Sequence, residues 1–429
     1  MSEMKFQLPR GTQDIFGEDI SYWQKMEEII RRQCRLYGYR EIRTPIFEHT
    51  EVFLGENDSS DMVNKEMYTF KDKGQRDLTL RPEGTKGVIR SFVEHKMYGN
   101  ADMPVKLFYL GPMFRYDRPG KGRYRQFYQF GIEAIGTKSA LLDVETIALG
   151  YAITREMGIS DVVILINSLG DEKSRGDYTK ALKAYFEPYL AELCTDCKRR
   201  FEQNPLRMLD CKVDKDRPCF IKAPKCQDYL NEESKEYFAT VLKGLDALSI
   251  PYRIDERLVR GLDYYSNTVY EAVPKDDDGQ QATVFAGGQY DGLVESFGGG
   301  PLAGVGFGMG MERMISLARE QKALPVEEER LDVYVISLGN IGTYGSRITE
   351  MLRKNGIKTE MDYQGRSLKA QFKSTDRYRA KAVIIVGEDE YLSNTVQIKD
   401  TADRTQENIS FDRMLEKVKD IICKGEGYE

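Results

Sequence analysis

Residues 105–135 read VKLFYLGPMFRYDRPGKGRYRQFYQFGIEAI. Two apolar, aromatic runs, Val105–Tyr116 and Gln126–Ile135, flank a loop, Asp117–Arg125, rich in glycine, proline and arginine, and this pattern predicts a long antiparallel hairpin. Side chains alternate along a strand, so Phe127, Gln129, Gly131 and Glu133 share one face. Gly131 then leaves a gap between amide and carboxylate where a small polar ligand would fit. Arg115, Arg118, Lys121, Arg123 and Arg125 set five bases in and beside the loop against one acid, Asp117. Bases this dense beside a polar pocket suit a polyphosphate or the end of an RNA, where contacts to phosphates dominate affinity.

Further along, Gly304-Val-Gly-Phe-Gly-Met-Gly310 has glycine at every second position, and no start within it satisfies G-x-G-x-x-G. The Gly120-Lys121 dipeptide has Arg115, not glycine, five positions before Gly120, so the phosphate-cradling P-loop fails as well. What remains is a strand with hydrogens on one face, running into a helix near Met311, Glu312 and Arg313. A flat ligand such as a purine would lie against that face, and Arg313 offers a planar fork to a phosphate. Two shorter signals add to this. Arg81-Pro-Glu83-Gly-Thr85 is a turn presenting Glu83 and Thr85 as acceptors for an ammonium group, and Arg260-Gly-Leu-Asp-Tyr264-Tyr265 joins a cation, a tight turn and two phenols.

The rest of the chain bounds what such a site belongs to. At roughly 150 residues per domain, 429 residues make two to three domains. A composition of 41% hydrophobic and 31% charged residues is that of a globular protein. No apolar run approaches the roughly 18 to 20 residues that span a bilayer. The start has no basic segment followed by an apolar one, and a cytoplasmic location without membrane contact is expected. With two histidines, His49 and His95, a Ser-His-Asp triad or multi-histidine metal site is all but excluded, so carboxylates, arginines and tyrosines must carry the chemistry. Net charge is −6, so a nucleic acid would be met by local basic patches.

A helix is predicted over 21–36, with Trp23, Met26, Ile29, Ile30 and Cys34 at helical spacing and Gly38 as its stop. Tyr39–Phe53, around Pro45, reads as an extended segment with a strand edge. Residues 171–245 are helical, charged and carry five cysteines: Cys194, Cys197, Cys211, Cys219 and Cys226. Reduced thiols in a small helical insertion are the favoured reading. A tetrahedral thiolate zinc site is the lesser one, because the later spacings fit no standard ribbon. Strand signals return at 252–273 and 282–297, the helix 311–321 follows, and 322–330 reads as a linker. Beyond it, strands at 331–338, 358–362 and 382–386 alternate with helices at 346–354 and 367–379, which predicts a separate α/β domain with a largely parallel sheet. From Arg347 to Lys381, ten Lys/Arg face four Asp/Glu, a local +6 that favours an anionic partner.

These residues resemble a known family. Phe114-Arg115 to Glu133 is similar to motif 2 of class II aminoacyl-tRNA synthetases, Gly304 to Arg313 to motif 3, and the segment around Pro45 to the dimer-forming motif 1. Arg260–Tyr265 and Ala286-Gly-Gly-Gln-Tyr-Asp-Gly-Leu293 resemble the two signatures of histidyl-tRNA synthetases, and the likeness runs from Arg10-Gly-Thr-Gln-Asp14 through the C-terminal domain.

The resemblance implies an α+β fold: an antiparallel class II sheet flanked by helices (1–170 and 246–321), a helical insertion (171–245) and a C-terminal α/β anticodon-binding domain (331–429), assembled as a homodimer. It implies ATP and Mg²⁺, L-histidine and the tRNA for histidine as partners. Arg115 and Arg260 would act on the α-phosphate, with Arg123 and Arg313 also binding ATP. Glu83, Thr85 and Gln129 would take the α-amino group, and Glu133, Tyr264 and Tyr265 the imidazole side. Gly120 stands where glutamine is often present, so the family's contact from that position to the extra 5′ nucleotide does not carry over. The competing reading is the histidine-binding regulatory subunit of ATP phosphoribosyltransferase, which would lack the anticodon domain and erode the arginines.

Overall fold

The computed structural model describes residues 6–54, 62–99, 102–120, 122–275, 283–321, 324 and 330–424. Lys121 and most of the 322–330 segment lie outside the described residues. The chain divides into two compact units, Met1–Val326 and Glu327–Glu429.

The first unit is built on an eight-stranded sheet, in spatial order Arg40–Glu41, Val105–Phe114, Gln126–Ile135, Gly304–Gly310, Phe285–Tyr290, Ser266–Pro274, Val162–Ser168 and Tyr252–Ile254. The pairings at both edges are parallel and the five between them antiparallel. The hairpin forms with Val105 opposite Ile135 and Phe114 opposite Gln126. Period-2 alternation then sorts the side chains. Phe130, Ile132 and Ala134 turn into the main core with Val305, Phe307 and Met309, while Gln129, Gly131 and Glu133 turn to the other face.

Four helices cover the core face: Glu18–Leu36, Ala140–Glu156, Glu232–Ala247 and Met311–Glu320. Each contributes apolar residues at helical spacing, such as Trp23, Met26, Ile30 and Cys34 in the first and Phe238, Val241 and Leu245 in the third. Part of the opposite face is capped by the helix Thr85–Glu94, whose Val88, Ile89 and Phe92 pack with Leu107, Ile135 and Tyr290. The remainder of that face holds the site. Within 171–245, the stretch Tyr178–Cys226 has an apolar cluster of its own, centred on Leu182, Phe186, Met208 and Phe220.

In the second unit the order is Thr359–Met361, Val333–Ser337, Ala382–Val386, Thr395–Asp400 and Gln406–Ser410. The first three strands are parallel and the last two antiparallel, so the expected largely parallel sheet is a mixed one. The strand signal beyond Val386 is weak because Thr395–Asp400 and Gln406–Ser410 are polar, half-exposed strands joined by a short turn, a connection that only antiparallel pairing permits.

Candidate active site

Two cavities adjoin on the open face of the large sheet, sharing Arg115 and Gly308. At about 230 and 300 Å³, they have together the size of a small-molecule site. The first is lined by Arg123, Phe127, Gly310, Glu312 and Arg313 among others, and the second by Glu83, Thr85, Gln129, Arg260, Tyr264 and Tyr265.

Arg115 leaves the end of its strand with Nε donating to the Pro82 carbonyl at 2.8 Å and its guanidinium 5.2 Å from the Phe127 ring centre. It therefore reaches both cavities from a fixed stem. Arg313, in the first turn of the helix after the glycine strand, donates from Nη1 to the Thr283 carbonyl at 3.2 Å. Burial, with the charge of Arg123 adding to it, lowers the Arg313 pKa, so a nearby anion would relieve an unfavourable charge. Arg123 is balanced by Asp117 at 3.2 Å. Arg125 instead stacks on Tyr116 at 4.0 Å and points its Nε at the Asp117 carbonyl. Arg260 pairs with Glu271 and sits 5.8 Å from the Tyr265 ring, and its Nε is buried with no hydrogen-bond partner among the described residues.

The second cavity has a hydroxyl and carboxylate floor. Glu83 accepts the amide hydrogens of Thr85 and Lys86 at 2.6 and 2.8 Å, which caps the helix Thr85–Glu94. Thr85 Oγ1 donates to Glu133 at 2.6 Å and Tyr290 OH to its other oxygen at 2.7 Å. Glu133 is thus held directly behind Thr85, 1% exposed, and burial pushes its carboxyl up to about 8 against those two hydrogen bonds. Tyr264 and Tyr265 lie side by side with ring centres 4.7 Å apart.

The structure corrects two expectations about empty space. A Cβ at Gly131 or Gly84 would overlap the ring of Tyr109, which faces Gly131 across the hairpin, so Tyr109 fills the gap between Gln129 and Glu133 and no ligand enters it. The glycine strand is not bare along its length either. Gly304 makes room for Tyr290 and Gly306 for Glu133, and only the Gly308–Gly310 end borders the first cavity.

Tyr109, Glu312 and Arg207 are among the lining residues that carry no role in the sequence reading. Tyr109 is recoverable from the hairpin register. Glu312 accepts the Tyr128 amide hydrogen at 2.8 Å, and burial pushes it up to about 7. Arg207, in the turn Pro205–Asp210, lines the second cavity from within the insertion, and nothing local in the sequence marks it. Of the five clustered cysteines, Cys194, Cys197 and Cys211 converge with Asp214, while Cys219 and Cys226 stay apart from that group.

A largely antiparallel sheet whose hairpin, and the helix that follows its glycine strand, offer arginines to one cleft is the core of a class II aminoacyl-tRNA synthetase. Residues 11–314 match the family described as histidyl-tRNA synthetase, and residues 332–421 the anticodon binding domain. The histidine–tRNA ligases of Bacillus cytotoxicus and Bacillus licheniformis are 49% and 48% identical to the chain, over 95% and 97% of it and 97% and 99% of their own lengths. The apo histidyl-tRNA synthetase structure of S. aureus superposes with a TM-score of 0.82 at 42% identity, covering 96% of this chain and all of that one. The chain belongs to the histidyl-tRNA synthetase family.

Proposed function

We propose that the protein joins L-histidine to its tRNA in two steps. The histidine carboxylate attacks the α-phosphorus of MgATP and pyrophosphate leaves. A hydroxyl of the terminal ribose of the tRNA then attacks the histidyl carbonyl and AMP leaves. In-line attack of an anion on a phosphate calls for positioning and charge neutralisation rather than a proton shuttle, which suits a site without histidine side chains. The observation that carries this reading is the meeting of two cavities at Arg115, with Arg313 on one side and Arg260, Tyr264 and Tyr265 on the other.

In this reading Arg115 and Arg260 bracket the α-phosphate, while Arg313, with Arg123, holds the outer phosphates. The Gly308–Gly310 end of the glycine strand receives the purine. Glu83, Thr85 and Gln129 take the α-amino group. Tyr264 and Tyr265, which line the second cavity, address the imidazole nitrogens, while Glu133, sealed behind Thr85 and bound to its hydroxyl, acts as a positioning residue rather than as the imidazole contact expected from the sequence. Residues 331–429 bind the anticodon. Exposed Ile46, Phe47, Leu54 and Phe70, in and beside the segment that resembles motif 1, support a homodimer. We place the enzyme in the cytoplasm; no helix among the described residues is long and apolar enough to cross a membrane. The regulatory-subunit alternative is disfavoured by the anticodon domain and by the presence of Arg115, Arg260 and Arg313 in the lining of the cleft.

Exchange of labelled pyrophosphate into ATP, run with each amino acid in turn, tests the proposal. Exchange with histidine alone, followed by charging of histidine tRNA, is expected. Exchange with another amino acid, or with none, sinks it.

A further inference from the structure

The segment from Cys194 to Asp214 begins and ends at one point. Cys194 caps the helix Thr195–Gln203 and Cys197 lies in its first turn, while Cys211 and Asp214 follow the turn Pro205–Asp210. Three sulfurs and one carboxylate oxygen all lie within 4.8 Å of one another. Cys194 Sγ and Cys211 Sγ are 3.7 Å apart, and Cys211 Sγ is 3.9 Å from Asp214 Oδ2. A disulfide needs sulfurs at about 2.05 Å. A tetrahedral zinc ion with Zn–S bonds of about 2.3 Å sets its sulfurs about 3.8 Å apart.

The surroundings suit a negative cluster. The Cys197 amide donates to Cys194 Sγ at 3.4 Å and the Asp214 amide to Cys211 Sγ at 3.2 Å. Asp214 Oδ2 accepts the Cys194 amide hydrogen at 2.8 Å, and Arg217 Nε lies 2.9 Å from Oδ1. Cys197, Cys211 and Asp214 are buried and Cys194 is partly so.

We propose that Cys194, Cys197, Cys211 and Asp214 form a structural site for a thiophilic divalent cation, namely zinc. Three soft thiolates in a tetrahedral set select zinc over the oxygen-seeking magnesium or calcium. On binding, three S–H protons pass to solvent while three metal–sulfur bonds and one metal–oxygen bond form, and no electron is transferred. Three thiolates and a carboxylate leave the filled site at −2, which Arg217 and the amide donors offset. The lack of a ribbon spacing does not count against the site, because the fold returns the chain to Cys194 through a helix and a turn.

The site also bears on the cleft. The segment it closes carries Asn204, whose Nδ2 donates to Asp263 Oδ1 at 2.9 Å in the Arg260–Tyr265 motif, and Arg207, which lines the second cavity. Metal binding therefore fixes the part of the insertion that borders the proposed histidine pocket; this consequence, unlike the site itself, rests on the proposed function.

The test uses the full chain, expressed with added zinc, gel-filtered and analysed by mass spectrometry for metal. About one zinc per chain is expected for the wild type and for Cys219→Ser, with loss of most of it in Cys197→Ser and Asp214→Asn. Should those variants not fold, cobalt titration of the metal-stripped wild type decides: a thiolate-to-cobalt charge-transfer band and tetrahedral d–d absorption, saturating at about one equivalent, support the site. No zinc and no cobalt band, a Cys194–Cys211 disulfide in the purified protein, or unchanged zinc in Cys197→Ser overturns it. None of these readouts requires histidine activation, so the site and the proposed activity fail separately. In pyrophosphate exchange, stripping the metal is expected to raise the histidine KM; an unchanged KM overturns the link to the cleft.

Discussion

Glu133 is nearly sealed from water while both its oxygens accept hydroxyl hydrogens, from Thr85 and Tyr290. Desolvation outweighs the two hydrogen bonds and, with the charge of Glu83 adding to it, pushes the carboxyl from 4.5 to about 8. The folded protein therefore holds a proton that the unfolded chain has released above about pH 4.5. Its stabilising effect is complete below that pH and is lost as pH rises through 8, on the order of a few kcal/mol over the window. Glu133→Gln has the same shape and no charge to bury. Its urea midpoint should fall less between about pH 5 and about pH 8 than that of the wild type, and parallel slopes would assign the effect elsewhere. Asp143 and Glu312, each pushed by burial up to about 7, supply the slope that remains. Arg260 calls for a different experiment because it pairs with Glu271. Arg260→Ala should lower the exchange rate by about 10² to 10³ with little change in histidine KM, as loss of one preorganised donor does. Adding Glu271→Gln removes the stranded carboxylate and should recover stability but not exchange.

The glycine strand packs tightly along part of its length and borders a cavity at its end. A Cβ at Gly306 would overlap the Ile132 carbonyl and the Glu133 carboxylate, neither of which has room to move. Gly306→Ala should therefore cost about 1–3 kcal/mol of stability, read from the urea midpoint. Gly310 has φ −79° and no neighbour within 4 Å of a built Cβ, yet it borders the first cavity. Gly310→Ala should leave the midpoint within about 0.5 kcal/mol while raising the KM for ATP by roughly tenfold. A strand of alternate glycines is visible in sequence because its period is 2; which glycine meets a side chain and which meets open space depends on partners up to about 180 residues away, such as Glu133 beside Gly306. The hairpin was legible for the same local reason, and so were the helices Glu18–Leu36, Met311–Glu320, Tyr344–Lys354 and Leu368–Arg377, whereas Thr85–Glu94, Ala140–Glu156 and Met414–Cys423 were not. The polar strands after Val386 were not, since half-exposed strands carry little apolar signal. Tyr109 and Arg207 join the site through register and through the fold of the insertion, neither of which local spacing encodes.

At the scale of the molecule, a chain of net charge −6 must still hold a polyanion, and the second unit offers a place to do so. Among its bases, Arg353, Arg366 and Lys381 are tied to Glu360, Asp362 and Asp332. On the helix Leu368–Arg377, by contrast, Lys369, Lys373 and Arg377 are exposed and recur at every fourth position, which places them on one face. Phosphate contacts release counterions, so each one adds about 0.7 to 0.9 to the slope of log affinity against log salt. If this face meets the tRNA backbone, the Lys369→Ala/Lys373→Ala variant should bind histidine tRNA more weakly, with a salt slope shallower by about 1.4 to 1.8. Pyrophosphate exchange, which needs no tRNA, should keep its wild-type rate in the same variant. Filter binding across a salt series beside the exchange assay separates the outcomes: a slope equal to wild type places the tRNA on another face of the unit, and a loss of exchange means that the substitutions reach beyond tRNA binding.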